Sequence, residues 1–284
     1  MLYKHVPCCY PFVKWAGGKT QLLPVLNKHV PSSFNQYFEP FLGGGAMFFF
    51  LSSKNLQFTS YLSDINEELI NAYKVVKSNV EQLITLLRYH ETEYKKSPRE
   101  YYYELRTKPL LTEVERAAKF ITLNRTCFNG LYRVNRSGVF NVPMGSYKNP
   151  VICNSANLRH VSIALRDSRA ELHTSDYKDI LLKEAGEDDF IYLDPPYNPV
   201  SNTAYFTHYT HTGFIARDQE ELSRMFGILN DRKCKVLLSN SDTPLIRDLY
   251  KDFSNSTEEL DVVRAINSKA SKRLGHKELL IRNY

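Results

Sequence analysis

The sequence predicts an α/β fold built on a largely parallel sheet, and three observations predict it. Short apolar segments recur along the chain, several are followed by helix-like periodicity, and two run directly into a glycine-rich or proline-rich turn. Strand and helix in alternation favour parallel pairing with helical crossovers. Turns at the carboxyl ends of such strands are where open α/β sheets bind ligands.

Taken in order, the strand candidates are Tyr37–Phe41, Phe58–Leu62, Glu171–Thr174, Phe190–Leu193, Lys235–Ser239, Leu260–Arg264 and Glu278–Ile281. Helical periodicity marks Met47–Leu51, Leu69–Val76, Gln219–Leu229 and Pro244–Lys251. One stretch breaks the alternation. From about Glu67 to Glu115 the pattern is helical with charged, Tyr-rich faces. Leu131–Asn135 and Val139–Pro143 then alternate around Arg136-Ser137-Gly138, which reads as a β-hairpin with a short loop. The expected organisation is a split α/β domain, residues 1–66 and 154–284, with an inserted, mainly helical subdomain at 67–153.

The chain has 284 residues, 43% of them hydrophobic, enough to bury a substantial core. No apolar run reaches membrane-spanning length, and Met1–Lys19 lacks the pattern of a secretion signal. Five cysteines without a C-x-x-C fit reduced thiols, hence a cytoplasmic location, and no Cys/His cluster has metal-ligand spacing, so no metal is expected. The net charge of +6 is modest, but it is concentrated. Phe120–Cys153 holds Arg125, Arg133, Arg136 and Lys148 and no acid, and Val262–Tyr284 holds basic residues against Glu278 alone. Such surfaces suit phosphate contact or are simply solvated faces.

Three segments carry chemistry. Asp194-Pro195-Pro196-Tyr197 follows the apolar strand Phe190–Leu193. It presents a carboxylate, a carbonyl on a rigid proline backbone and an aromatic face. A planar conjugated amine needs that combination. Its lone pair is delocalised, and accepting both N–H bonds draws the nitrogen toward a tetrahedral, nucleophilic shape while the ring stacks on Tyr197. The amide of a glutamine or an amine in RNA meets the same description. Chance would produce this string on the order of once in a thousand such chains, which argues against an ordinary Pro-rich turn.

The second segment, Phe38-Glu39-Pro40-Phe41-Leu42-Gly43-Gly44-Gly45-Ala46, is strand, glycine turn and helix, the context of a nucleotide-like cofactor. It is neither G-x-G-x-x-G nor a P-loop. Asp64, about 20 residues on, is placed to bind ribose hydroxyls or to cap the helix that follows. The third, Phe12-Val13-Lys14-Trp15-Ala16-Gly17-Gly18-Lys19, holds the single Trp, a core anchor on composition alone.

In this order the three segments resemble the Dam family of DNA adenine-N6 methyltransferases, and the similarity extends over nearly the whole chain, including Val263–Tyr284. The resemblance implies a Rossmann-like seven-stranded methyltransferase sheet, S-adenosyl-L-methionine as cofactor, double-stranded DNA as partner and an inserted target-recognition domain. It implies catalysis by Asp194, Pro195, Pro196 and Tyr197. It assigns cofactor binding to Trp15, Lys19, Phe41, Gly43, Gly45, Asp64, Asp176 and Asp194. Cys127-Phe128-Asn129-Gly130-Leu131-Tyr132-Arg133 resembles the recognition segment of members specific for GATC. By that likeness Phe128 is an intercalating wedge, Arg133 reads guanine, Leu131 and Pro143 touch a thymine methyl, and Lys14, Asn129 and Tyr147 contact DNA. Close relatives often have Gly-Arg-Tyr-Lys where this chain has Gly145-Ser146-Tyr147-Lys148, so one contact differs. A monomer is expected, with any companion restriction endonuclease acting separately.

Overall fold

The computed structural model describes residues 9–54, 58–109, 112–198, 214–262 and 276–284. Cys8, the strand end Val263-Arg264 and the basic residues Lys269, Lys272 and Arg273 lie outside the described residues. Seven strands form one sheet in the order β3-β2-β1-β4-β5-β7-β6. They are β1 (Gln36–Glu39), β2 (Thr59–Asp64), β3 (Glu171–Thr174), β4 (Phe190–Leu193), β5 (Lys235–Ser241), β6 (Thr257–Val262) and β7 (His276–Arg282). The helices are α1 (Leu23–Leu26), α2 (Ala46–Ser52), α3 (Glu67–Ser78), α4 (Val80–Lys96), α5 (Pro98–Thr107), α6 (Glu113–Thr126), α7 (Ser155–Asp167), α8 (Tyr177–Glu184), α9 (Ala216–Asp231) and α10 (Pro244–Leu249).

The sheet is mixed, with parallel pairs in the majority among those described. β2 runs parallel to β3, and β4 runs parallel to β1 and to β5, whereas β7 is antiparallel to both β5 and β6. β1 ends two residues before the sequence suggests, because Pro40 has no N–H for a ladder. β4 is buried at every position, as its unbroken Phe-Ile-Tyr-Leu run requires of a strand flanked on both sides.

The chain divides into two compact units, Met1–Lys28 with Leu42–Ser175, and His29–Phe41 with Asp176–Tyr284. In the first, α3 is started by Asn66, whose side chain accepts from the Leu69 amide, with Glu67 and Glu68 in the first turn and Lys77 in the last. It buries Leu69, Ile70, Tyr73 and Val76, one helical face. α6 begins with a reciprocal Thr112–Glu115 capping box. Each such cap is worth about 1 kcal/mol. α3 to α6 account for the helical stretch expected from Glu67, and α6 carries it on to Thr126.

The hairpin is present but narrow. Val134 and Phe140 form an isolated antiparallel bridge, and the Asn135 amide donates to the Val139 carbonyl at 2.8 Å. A second bridge, Cys127 to Met144, ties its base to the end of α6.

In the second unit β1, β4, β5, β7 and β6 carry the core with α8, α9 and α10. Phe190, Ile191, Leu193, Leu222, Phe226, Leu229, Val236, Leu237 and Leu238 are all fully buried there. Asp176 caps α8 by accepting from the Lys178 amide at 2.9 Å, and Thr243 caps α10, with Pro244 at its first position. Neither α7 nor α8 stands out in the sequence pattern. Both follow such capping residues, Asn154 and Asp176.

Candidate functional site

In the first unit the glycine turn and the acid that follows it are bound together. The Gly43 amide donates to Asp64 Oδ2 at 3.0 Å, and the Asn66 amide donates to Oδ1 at 2.9 Å. Asp64 therefore does not cap α3, the task Asn66 performs. Burial raises the Asp64 carboxyl above its ordinary range, and the amides of Asn66, Gly43 and Ile65 act against that rise. Gly43 has φ +48°, and a Cβ there would meet Trp15 Cδ1 at 2.7 Å, so no other residue fits. Trp15 is half-buried rather than a core anchor, and it stacks on Tyr132 of the hairpin at 6.0 Å between centroids. Lys19 is buried, with Nζ donating to the Gly17 carbonyl at 2.7 Å.

The DNA-contact residues expected from the sequence also meet in this unit. The Phe128 amide donates to the Pro143 carbonyl at 2.9 Å, and the Leu131 amide donates to the Phe128 carbonyl. Lys14 comes from 110 residues away. Asn124 of α6 accepts from its amide and donates to its carbonyl, and the same side chain donates to the Gly130 carbonyl. Gly130, at φ +65°, leaves no room for a Cβ, which would lie 2.4 Å from Lys14 Cβ. The Lys14 ammonium sits 3.7 Å from the centre of the Tyr147 ring. Phe128 is a large apolar side chain left 48% exposed, and Asn129 beside it is left-handed at φ 54°. Arg133 is exposed, and its Nε donates to Asn141 Oδ1 at 2.7 Å across the hairpin.

In the second unit β1 and β4 are parallel, so Phe41 and Asp194 both follow strands at the same sheet edge. The Phe41 ring packs on Tyr177, the neighbour of Asp176, at 5.2 Å. Ser239 Oγ donates to Asp194 Oδ1 at 3.0 Å, and the Tyr192 hydroxyl lies 3.1 Å from Ser239 Oγ. The Tyr197 hydroxyl donates to Glu278 Oε2 at 2.8 Å, and Gln219 Nε2 donates to the Pro196 carbonyl at 3.0 Å. Gln219 in turn accepts from Asn240 Nδ2 at 2.9 Å. Burial, with the charges of Asp194 and Glu278 nearby, holds the Tyr197 phenol well above its ordinary pKa, so it stays a donor. The Pro195 carbonyl has no hydrogen bond among the described residues. A fixed carboxylate, a carbonyl and a pinned ring therefore share four consecutive positions.

A sequence model of the D12 class N6 adenine-specific DNA methyltransferases matches residues 15–266. The chain belongs to this family. It is 42% identical to a Type II methyltransferase of Lactococcus lactis subsp. cremoris, in an alignment covering 100% of this chain and 99% of that one. It is 41% identical to a Type II methyltransferase of Methanocaldococcus jannaschii, covering 96% and 99%. It is 36% identical to the DNA adenine methylase of Escherichia coli, covering 95% and 93%. The protein is thus an adenine-N6 DNA methyltransferase, and DNA is its substrate. Among the described residues no helix is long and apolar enough to cross a membrane, and no cluster of His, Cys, Asp and Glu is arranged to hold a metal ion.

For this methyltransferase the sequence reading missed the residues beneath the Asp194–Tyr197 loop: Tyr192, Gln219, Ser239, Asn240 and Glu278. The signal was there. Ser239-Asn240-Ser241 puts three polar residues, all fully buried, at the end of a strand that is otherwise apolar. Buried polar side chains require partners, and a run of them marks something being held. It also missed Ile65, which is 63% exposed beside Asp64 and offers an apolar face next to a carboxylate.

Proposed function

We propose that this methyltransferase uses S-adenosyl-L-methionine to methylate an adenine flipped out of duplex DNA, within the site GATC. The observation that carries the reading is the Asp194–Tyr197 loop, in which Asp194 is fixed by Ser239 and Tyr197 by Glu278.

The residues assigned to the cofactor have suitable chemistry. Gly43 and Gly45 are left-handed, and Trp15 occupies the space of a Gly43 side chain, so backbone rather than side chain faces a ligand. Asp64 accepts hydroxyl donors, Ile65 covers a flat apolar face, and Asp176, already oriented by capping α8, accepts an exocyclic amine. Trp15, Lys19 and Phe41 complete the set. When bound, S-adenosyl-L-methionine supplies a methyl group attached to a positively charged sulfur.

Asp194 and the Pro195 carbonyl accept the two N–H bonds of the target amine, while Tyr197 covers the base and Pro196 keeps the backbone rigid. The Asp194 carboxylate would best stabilise the positive charge that grows on nitrogen as the methyl leaves sulfur, which keeps the electron pair of the broken C–S bond. The surplus proton leaves along the N–H bond that Asp194 accepts. No protein nucleophile is required, and burial pushes the Cys127 thiol up to about 12.

Residues 67–153 act as the target-recognition subdomain, joined by Lys14. Phe128 is the wedge that replaces the flipped base, Arg133 reads guanine O6 and N7, and Leu131 and Pro143 touch a thymine methyl. Lys14 contacts the outer guanine, and Asn129 and Tyr147 contact the duplex. The protein works as a monomer in the cytoplasm, and any companion endonuclease acts separately. Transfer of labelled methyl to duplexes that differ from GATC by one base pair tests the assignment. The GATC duplex should be methylated fastest, and equal rates on every variant would refute the site.

A further inference from the structure

We propose that Tyr192 and Ser239 are positioning residues for the reaction, forming a one-way chain of hydroxyl donors that ends on Asp194. The proposal rests on the reading that Asp194 accepts the target amine, and it names what holds Asp194 ready to do so.

The direction of the chain follows from proton counting. An ionised carboxylate only accepts, so across the 3.0 Å contact Ser239 must donate to Asp194 Oδ1. A serine hydroxyl has one proton. Across the 3.1 Å contact to Tyr192, Ser239 is therefore the acceptor and Tyr192 the donor. Burial and the nearby charge of Asp194 keep the Tyr192 phenol well above its ordinary pKa, against the opposing hydrogen bond of Ser239, so Tyr192 keeps its proton. The Tyr197 hydroxyl also bonds Ser239, but its own proton goes to Glu278. Donors in series polarise one another and strengthen the last bond.

The strands explain why these three groups meet. Tyr192 and Asp194 are two residues apart and point to one face of the sheet as the chain leaves β4. β4 and β5 pair Tyr192 with Leu237 and Leu193 with Leu238, so Ser239 is the next residue of β5, alongside the point where Asp194 leaves β4. Ser239 is fully buried and Tyr192 is 1% exposed, so no water competes for either hydroxyl. A carboxylate rotates freely about its last bond unless something holds one oxygen. Here one oxygen is held by a group mounted on the most buried strand pair of the unit. Orientation of that kind acts on the chemical step rather than on binding, because a small misplacement of a reacting group costs about a hundredfold in rate.

The experiment is a double-mutant cycle on the full chain, read by single-turnover methylation of a GATC duplex, with DNA and S-adenosyl-L-methionine affinities measured alongside. Ser239→Ala should lower the single-turnover rate by about tenfold to a hundredfold with both affinities unchanged. Tyr192→Phe, which keeps the packed ring and loses only the hydroxyl, should lower it by roughly severalfold with an unaltered melting temperature. The double variant should be no slower than Ser239→Ala alone, because without Ser239 the outer hydroxyl reaches nothing. Additive losses, or a wild-type rate in Tyr192→Phe, overturn the chain. If Ser239→Ala fails to fold, Tyr192→Phe decides alone. Asp194→Ala runs in parallel. If it keeps activity, the reading of Asp194 itself falls. If it is inactive while both hydroxyl variants are at full speed, only the donor chain falls.

Discussion

The loop Asp194–Asn198 and the hairpin tip, residues 133–141, are both irregular backbone, yet they are held in opposite ways. The loop has its partners on distant elements: Ser239 and Asn240 on β5, Gln219 on α9 and Glu278 on β7, all buried. The tip of the hairpin is held by itself, whereas its base rests on other elements, with Tyr102 of α5 donating to the Val142 carbonyl and Trp15 stacking on Tyr132. Arg133 bonds Asn141, and the Asn135 side chain accepts from the amides of Ser137 and Val139. Its exposed tip makes no demand on the core. The difference follows from the tasks. A group that must hold an amine to within a fraction of an ångström needs supports that cannot move. A group that reads a duplex must meet its partner at the surface. Substitutions in the first region should therefore cost rate or stability, and those in the second should cost discrimination with the fold intact.

The largest expected effect is at Asp194. Asp194→Ala should lower the rate of methyl transfer by at least about 10²–10³, the usual loss of one preorganised electrostatic partner. The far-ultraviolet spectrum and melting curve should show a folded protein. Transfer within tenfold of the wild-type rate would break the comparison at its first term. Next is Gln219, which satisfies both the Pro196 carbonyl and Asn240. Gln219→Ala leaves the buried Asn240 amide without its acceptor, about 1–3 kcal/mol, and releases the exposed Pro196, so it should lower the melting temperature by a few degrees. An unmoved melting curve would mean that the loop is not anchored as its hydrogen bonds indicate.

The same contrast explains what could be read in advance. All seven strands were legible, most clearly β4 and β5, whose apolar runs lie inside the sheet, where β-structure has little else to be made of. The edges were less so. β6 begins at Thr257, three residues before its apolar signal, since a polar stretch pairs just as well on the sheet edge beside β7. The hairpin was visible from alternation around Gly138, but its single inner bridge was not, because bridging depends on twist and on contacts with the end of α6. Asp194 and Tyr197 announce themselves as a rigid motif. Their anchors do not, since Ser239, Gln219 and Glu278 are ordinary residues that acquire meaning only when β5, α9 and β7 arrive beside the loop. Lys14 and Gly130 likewise pack together and share Asn124 as a bonding partner, contacts no local pattern encodes.

Arg133 tests the second term of the comparison. Arg133→Ala should cost about 1–3 kcal/mol of discrimination at one guanine. Its side chain is exposed and bonded within the hairpin, so stability should change by no more than about 0.5 kcal/mol. Methylation rates on a panel of near-cognate duplexes, with a melt of the same protein, measure both quantities. A loss of stability larger than the loss of discrimination would show that the hairpin is built into the core after all.

The smallest effect is expected at Lys14. An ammonium is a point donor, without the fork that lets arginine grip O6 and N7 together, so it discriminates less well. Lys14→Ala should weaken preference at the outer base pair by less than Arg133→Ala weakens its own position. Tyr147→Leu should reproduce part of that loss, because the ring that holds the ammonium at 3.7 Å contributes about 0.5–1 kcal/mol to its placement. Salt dependence separates reading from simple attraction. A residue that neutralises a phosphate changes the slope of log affinity against log salt by about one when removed, and it weakens all sequences alike. If Lys14→Ala flattens that slope and leaves the preference at the outer pair untouched, Lys14 belongs with the phosphate contacts. The hairpin would then read the site without help from the segment beside Trp15.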